Sequence, residues 1–280
     1  MTPAALHATA ERWLREGRAA MDVEVLAHRG SVPREAGTHM LVSADAVAGT
    51  IGGGHLELKA IAAARALLAE RAAVHDATGD APRFDATPVD VHYPLGPALG
   101  QCCGGAVTLR TAPLNAARLA GWPAAPPRFF LQLYGAGHVG RAIAALLAGI
   151  DCRVQWIDER ESEFPPEPGP AHIERVCVDA VEAEVALAPP GAFYLVLTHQ
   201  HELDLRITEA VLRRGDFGFL GLIGSATKRA RFLHRYAERG IAPEQLARLT
   251  CPIGLPGIRG KEPEVLAISV VAQLLGLGAA

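Results

Sequence analysis

Cys102 and Cys103 stand side by side in Gly100-Gln101-Cys102-Cys103-Gly104-Gly105, two thiols among glycines at the mouth of an apolar strand pattern. A thiolate there is suited to ligating a soft metal or accepting a sulfur atom, provided nearby dipoles or cations lower its pKa. The plainer alternative is one cysteine acting as a small buried hydrophobe while the glycines shape a turn. The composition favours chemistry, because a strand needing only a turn rarely uses it.

Two other loops in the first half carry anion-binding residues. Arg29-Gly30-Ser31-Val32-Pro33-Arg34-Glu35-Ala36-Gly37 sets two arginines among turn formers. The guanidinium of Arg34 offers a planar fork for phosphate, and a solvated hairpin tip is an equal alternative. Gly49-Thr50-Ile51-Gly52-Gly53-Gly54 ends where a helical pattern starts, an arrangement that favours anions. Glu57, just inside that helix, suits the helix dipole and is read as structural.

The second half opens on a dinucleotide fingerprint. An apolar run leads into Gly135-Ala136-Gly137-His138-Val139-Gly140, an alanine-rich helix follows, and a second apolar run ends in Asp158. Gly135 suits the tight turn, Gly137 lets backbone approach a phosphate, and Gly140 lets helix and sheet pack closely. Asp158 falls where an acid meets a ribose hydroxyl. His138 sits in the phosphate loop and is no obvious catalytic acid. Further on, Thr198-His199-Gln200-His201-Glu202-Leu203-Asp204 superficially resembles a metallo-hydrolase pattern. Its acid is one position late and no histidine follows, so a loop facing a cleft is the better reading, with a helix from about His201. Gly221-Leu222-Ile223-Gly224-Ser225 also ends a strand. Lys228, Arg229, Arg231 and Arg235 on the next helix read as a solvated face.

Those loops need elements to hold them. At 280 residues two domains are expected. Residues 1–112 read as an α+β domain with a first amphipathic helix. Its strands fall near 23–28, 39–42, 46–51, 83–84, 89–93 and 106–110, and a second helix ends about Arg71. Residues 113–127, rich in proline, read as a linker. Residues 128–280 alternate strands (129–134, 152–158, 173–178, 193–198, 217–223) with helices (138–149, 180–187, 202–214, 226–239, about 263–275). That pattern predicts an α/β fold whose C-terminal half is a Rossmann-like, doubly wound parallel sheet.

A net charge of −3 gives no pointer to a nucleic-acid partner, and no apolar run is long enough for a membrane span. The five cysteines, odd in number and irregularly spaced, argue for a reducing compartment, hence a cytoplasmic protein. A homodimer is the default oligomer.

Taken together, HRGSVPREAGTHMLV, AGTIGGGHLE, LGQCCGG, YGAGHVGRAIA, VLTHQHELD, GLIGS and PIGLPGIRGKEPEVLAISV resemble the XdhC/CoxI family of xanthine dehydrogenase accessory proteins, in family order over nearly the whole chain. LGQCCGG with GTIGGGHLE is the specific part, and the late GLPGIRGK loop departs from the family pattern. The resemblance implies a protein that binds the molybdenum cofactor (molybdopterin). It would hold the cofactor while a partner cysteine desulfurase installs the terminal sulfur, then pass it to apo-xanthine dehydrogenase. The implied contacts are Arg34, Gly52, Gly53 and Gly54 in the N-terminal loops and Gln101 to Gly105 around the cysteines. An NAD(P)-dependent oxidoreductase using Gly135, Gly137, Gly140 and Asp158 is the alternative, although no proton donor stands ready for hydride chemistry. A third reading makes the Rossmann half a docking or dimerisation module with an empty nucleotide site.

Overall fold

The structure, a computed structural model, describes residues 1–78, 87–95, 105–123 and 126–278, without the side chains of 72–78. The chain forms two compact units, Met1–Ala125 and Pro126–Ala280.

Unit one is built on an antiparallel sheet of β1 (Ala20–Arg29), β2 (His39–Ser43), β3 (Val47–Gly49), β4 (Val89–Pro94) and β5 (Ala106–Pro113), in the order β3-β2-β1-β5-β4. Alternating side chains take opposite faces of a strand. Met40 and Val42 of β2 join Met21, Val23 and Leu109 under α2 (Gly54–Thr78), whose Leu56, Ala60 and Ala64 recur at helical spacing. Leu41, between them, packs on the other face against Leu6, Ala10 and Trp13 of α1 (Pro3–Arg15). With both faces covered, every residue of β2 is buried.

Helix α2 runs past the expected end at Arg71 to Thr78. Part of the stretch expected as linker is folded onto the sheet: Asn115 caps a short helix, α3 (Ala116–Ala120), and Leu114 and Leu119 are buried with α1. Proline content marked that segment, but its two leucines decide where it goes. The strand expected at 83–84 lies outside the described residues.

Unit two holds a parallel sheet of β6 (Phe130–Tyr134), β7 (Arg153–Asp158), β8 (Ile173–Cys177), β9 (Phe193–Val196), β10 (Phe219–Leu222) and β11 (Leu249–Thr250). The order β8-β7-β6-β9-β10-β11 is the Rossmann order, with the reversal between β6 and β9. Leu131, Leu133 and Leu195 face α4 (His138–Leu147) and α8 (Pro263–Leu277). Tyr134, Val196, Leu220 and Leu222 face α5 (His201–Arg214) and α6 (Ala226–Glu238) on the other side. The fold is thus the expected α/β arrangement, with continuously apolar strands because helices cover both faces.

Three details differ from the sequence reading. Residues 181–187 form a 3₁₀ turn rather than an α-helix, since Pro189 and Pro190 cut the segment short. The two-residue β11 and α7 (Pro243–Ala247) were not anticipated. Among the described residues no helix is long and apolar enough to cross a membrane.

Candidate functional site

The end of β6 delivers the chain into the glycine turn at the sheet's topological switch, where open α/β sheets bind ligands. Gly135 N–H donates to Ile157 O at 2.8 Å, and Trp156 Nε1 donates to Gly135 O at 3.0 Å. A Cβ on Gly140 would run into Gly135 O, and one on Gly135 into Leu197 O, so both glycines are set by close backbone approach. Gly137 differs. It precedes the first turn of α4, and a Cβ there would meet nothing within 4 Å, which leaves the open cradle a phosphate needs. His138 is the exposed first residue of α4.

Asp158, at the end of β7, is buried and fully engaged. Oδ1 accepts from Arg160 N and Nε at 2.9 and 3.0 Å, while Oδ2 accepts from Ala136 N at 2.6 Å and Arg160 Nη2 at 3.0 Å. Burial alone would raise its pKa. The Arg160 guanidinium and the amides of Ala136 and Arg160 outweigh that and hold the carboxyl below its ordinary value. Arg141 of α4 ties the same turn to the next segment by donating to Ala136 O and Glu163 O, both at 2.9 Å. The cavity beside Asp158, lined by Gly135, Glu159, Thr198 and His199, has about 10 Å³, space for one water. The turn is open at Gly137, while a ribose would have to take Asp158 from Arg160.

Farther along the same sheet edge lies a pair the sequence reading missed. Lys228 Nζ donates to Asp204 Oδ2 at 2.6 Å and to Ile223 O at 2.9 Å. Asp204 Oδ1 accepts from Thr198 N and Oγ1 at 3.0 and 2.7 Å. The two side chains are only 2% and 11% exposed, so Lys228 does not belong to the solvated face assigned to it. The signal was present: Lys228, Phe232 and Tyr236 recur every fourth residue, and the latter two are buried. As expected, α5 starts at His201 with Asp204 in its first turn, where the carboxylate serves Thr198 and Lys228. His199 Nε2 stands 3.5 Å from Glu159 across the small cavity.

The thiols of unit two are poorly placed for sulfur or metal chemistry, which needs the thiolate. Burial pushes Cys152 up to about 12. Burial also raises Cys251, with Lys228 and Arg229 working against it, and desolvation with nearby acids raises Cys177. No cluster of three or more metal-ligating side chains occurs among the described residues.

In unit one the N-terminal motifs converge. A Cβ on Gly52 would overlap the Pro33 ring, next to the exposed Arg34. A Cβ on Gly105 would strike the carbonyl oxygens of Arg29 and Ser31. Gly105 O accepts from Leu95 N at 2.7 Å, which joins the described residues on either side of 96–104. Gln101, Cys102, Cys103 and Gly104 themselves lie outside the described residues. Residues 29–37 thus touch both the glycine run and the exit of the cysteine motif.

In the glycine run, Glu57 competes with an anion for two of the peptide donors. Glu57 Oε2 accepts from Thr50 Oγ1 at 2.5 Å and from Ile51 N and Gly53 N at 3.0 Å each. A second unanticipated group is Asp22, fully buried, which accepts from His39 Nδ1 at 2.9 Å, Arg118 Nε at 2.7 Å and Trp122 Nε1 at 3.1 Å. It pins the 115–122 segment to the sheet.

Known proteins agree with this architecture. The XdhC Rossmann domain matches residues 131–274, and the XdhC and CoxI family matches residues 13–77. The uncharacterized protein YqeB of Escherichia coli K12 is 35% identical over 268 residues, a match that covers 90% of this chain and 42% of YqeB. The chain thus spans less than half the length of that relative. A crystal structure described as a xanthine dehydrogenase from Bacillus halodurans shares the fold, with a TM-score of 0.73 and 20% identity, covering 97% of this chain and 95% of that one. With its Rossmann half matched across just over half of the sequence and β1 to β3 with nearly all of α2 matched as well, the chain belongs to the XdhC/CoxI family.

Proposed function

We propose that this protein is an accessory factor that binds the molybdenum cofactor, holds it while a cysteine desulfurase supplies the terminal sulfur, and delivers it to apo-xanthine dehydrogenase. The observation that carries the reading is the convergence in unit one. The Arg34 loop lies against Gly52 through Pro33, and its carbonyls lie against Gly105, two residues after Cys103. An exposed guanidinium suited to a pterin phosphate, on a loop whose Arg29 and Ser31 carbonyls meet Gly105, supports this reading. The described cysteines, all in unit two, have raised pKa values, which leaves Cys102 and Cys103 as the candidate thiolates for a soft, sulfur-bearing metal centre. Family membership supports xanthine dehydrogenase as the recipient.

The test is anaerobic purification of the full chain from molybdenum-replete cells. The expected result is near-stoichiometric molybdopterin, with Cys102→Ala or Cys103→Ala weakening retention of the sulfurated form. Unchanged retention and unchanged activation of the apo-dehydrogenase in both variants would remove the cysteines from the mechanism.

A second reading, an NAD(P)-dependent oxidoreductase, is favoured by the open cradle at Gly137. Fluorescence titration with NADH and NADPH separates the two, since tight binding with turnover would reverse the ranking. The engaged Asp158 argues for weak binding.

A further inference from the structure

We propose that Glu57 is a positioning residue of the unit-one site: its carboxylate fixes the glycine loop and, through that loop, the Arg34 loop. The inference rests on the reading of unit one as the cofactor holder. Three successive glycines there have left-handed backbone, with φ of +120° at Gly52, +76° at Gly53 and +67° at Gly54. Glycine gives up more conformational freedom on ordering than any other residue, so such a run does not hold its own shape. One oxygen of Glu57 supplies the missing constraint by accepting from Thr50 Oγ1, Ile51 N and Gly53 N. Hydrogen bonds to an ionised acceptor are the stronger kind.

The constraint is passed on by contact. Gly52 has no space for a Cβ against Pro33, the residue before Arg34, so the position of the glycine loop sets how close the arginine loop can come. The peptide donors of Ile51 and Gly53 are already used by Glu57. The loop therefore acts on a ligand through the shape it imposes, with Arg34 left exposed to make the contact. The same carboxylate admits an opposite role, a placeholder that an incoming phosphate would displace. The two roles predict opposite effects of removing it.

The experiment compares full-length wild type with Glu57→Ala, Glu57→Gln and Thr50→Val. It reads amide hydrogen exchange over residues 29–37 and 48–57, inorganic phosphate binding by titration, and molybdopterin content after anaerobic purification. Glu57→Ala is expected to speed exchange in both segments by about tenfold, as loss of one to two net hydrogen bonds would, and to lower molybdopterin content. Glu57→Gln keeps an acceptor oxygen and is expected to restore both readouts most of the way. Thr50→Val removes one of the three donors and is expected to show the same pattern more weakly, which keeps the test open should the alanine variant fold poorly. Wild-type exchange over 29–37 in Glu57→Ala or Thr50→Val would overturn the proposal, as would tighter phosphate binding in Glu57→Ala. Wild-type protein that carries no molybdopterin would instead overturn the function proposed above, and the exchange pattern would still decide the role of Glu57.

Discussion

Replacing Lys228 by methionine isolates the energetic role of the buried pair in unit two. Methionine keeps most of the aliphatic stem and removes the ammonium. Asp204, 2% exposed, then keeps Thr198 N and Oγ1 on one oxygen and loses Lys228 Nζ on the other. Breaking a buried ion pair by deleting one partner costs about 3–5 kcal/mol. Because Thr198 still serves half of the carboxylate, the lower end, about 3 kcal/mol, is expected. For a unit of this size that corresponds to about 6–12 °C in melting temperature. Urea unfolding followed by circular dichroism measures it, with the slope unchanged if only the native state is affected. The double variant Asp204→Asn/Lys228→Met leaves no orphaned charge, so its cost should fall below the sum of the single costs by at least about 1 kcal/mol. A single-variant cost under about 1 kcal/mol, or strictly additive costs, would show that the pair is not the buried latch described here.

Two further outcomes test the sites themselves. Gly105→Ala drives a Cβ into the Arg29 and Ser31 carbonyls and should destabilise unit one by about 1–3 kcal/mol; a thermal melt within experimental error of wild type would contradict that packing. Asp158 has a lowered folded-state pKa, so its contribution to stability is fully present above its unfolded value of about 4 and is lost as pH falls through the lower folded value. Urea midpoints from neutral to strongly acidic pH should therefore drop more steeply for wild type than for Asp158→Asn, and parallel profiles would refute the Arg160 clamp.

The Rossmann half was legible because its strands are short, continuously apolar and punctuated by glycines whose spacing has a steric cause. Gly135 and Gly140 sit where backbone meets backbone, and Asp158 sits at the strand end the spacing indicated. What the sequence did not disclose is partner choice. Arg160, two residues beyond Asp158, takes both of its oxygens, and Glu57, read as a dipole partner for α2, closes a loop six and seven residues upstream. Both outcomes depend on local backbone conformation that composition does not encode. Lys228 is obscured for another reason: its charge masks its place on the apolar stripe with Phe232 and Tyr236. Arg118 reaches Asp22 across ninety-six residues, a separation at which no periodicity argument operates. β11 is two residues long, too short to produce an alternation signal.

Titration of the isolated molybdenum cofactor into the full chain under anaerobic conditions tests the central claim most directly, with wild type, Cys102→Ala/Cys103→Ala and Asp158→Asn run side by side. The account predicts saturable binding to wild type, marked loss in the double cysteine variant, and wild-type affinity in Asp158→Asn. No binding to wild type, or binding that survives loss of both cysteines and disappears with Asp158→Asn, would contradict it.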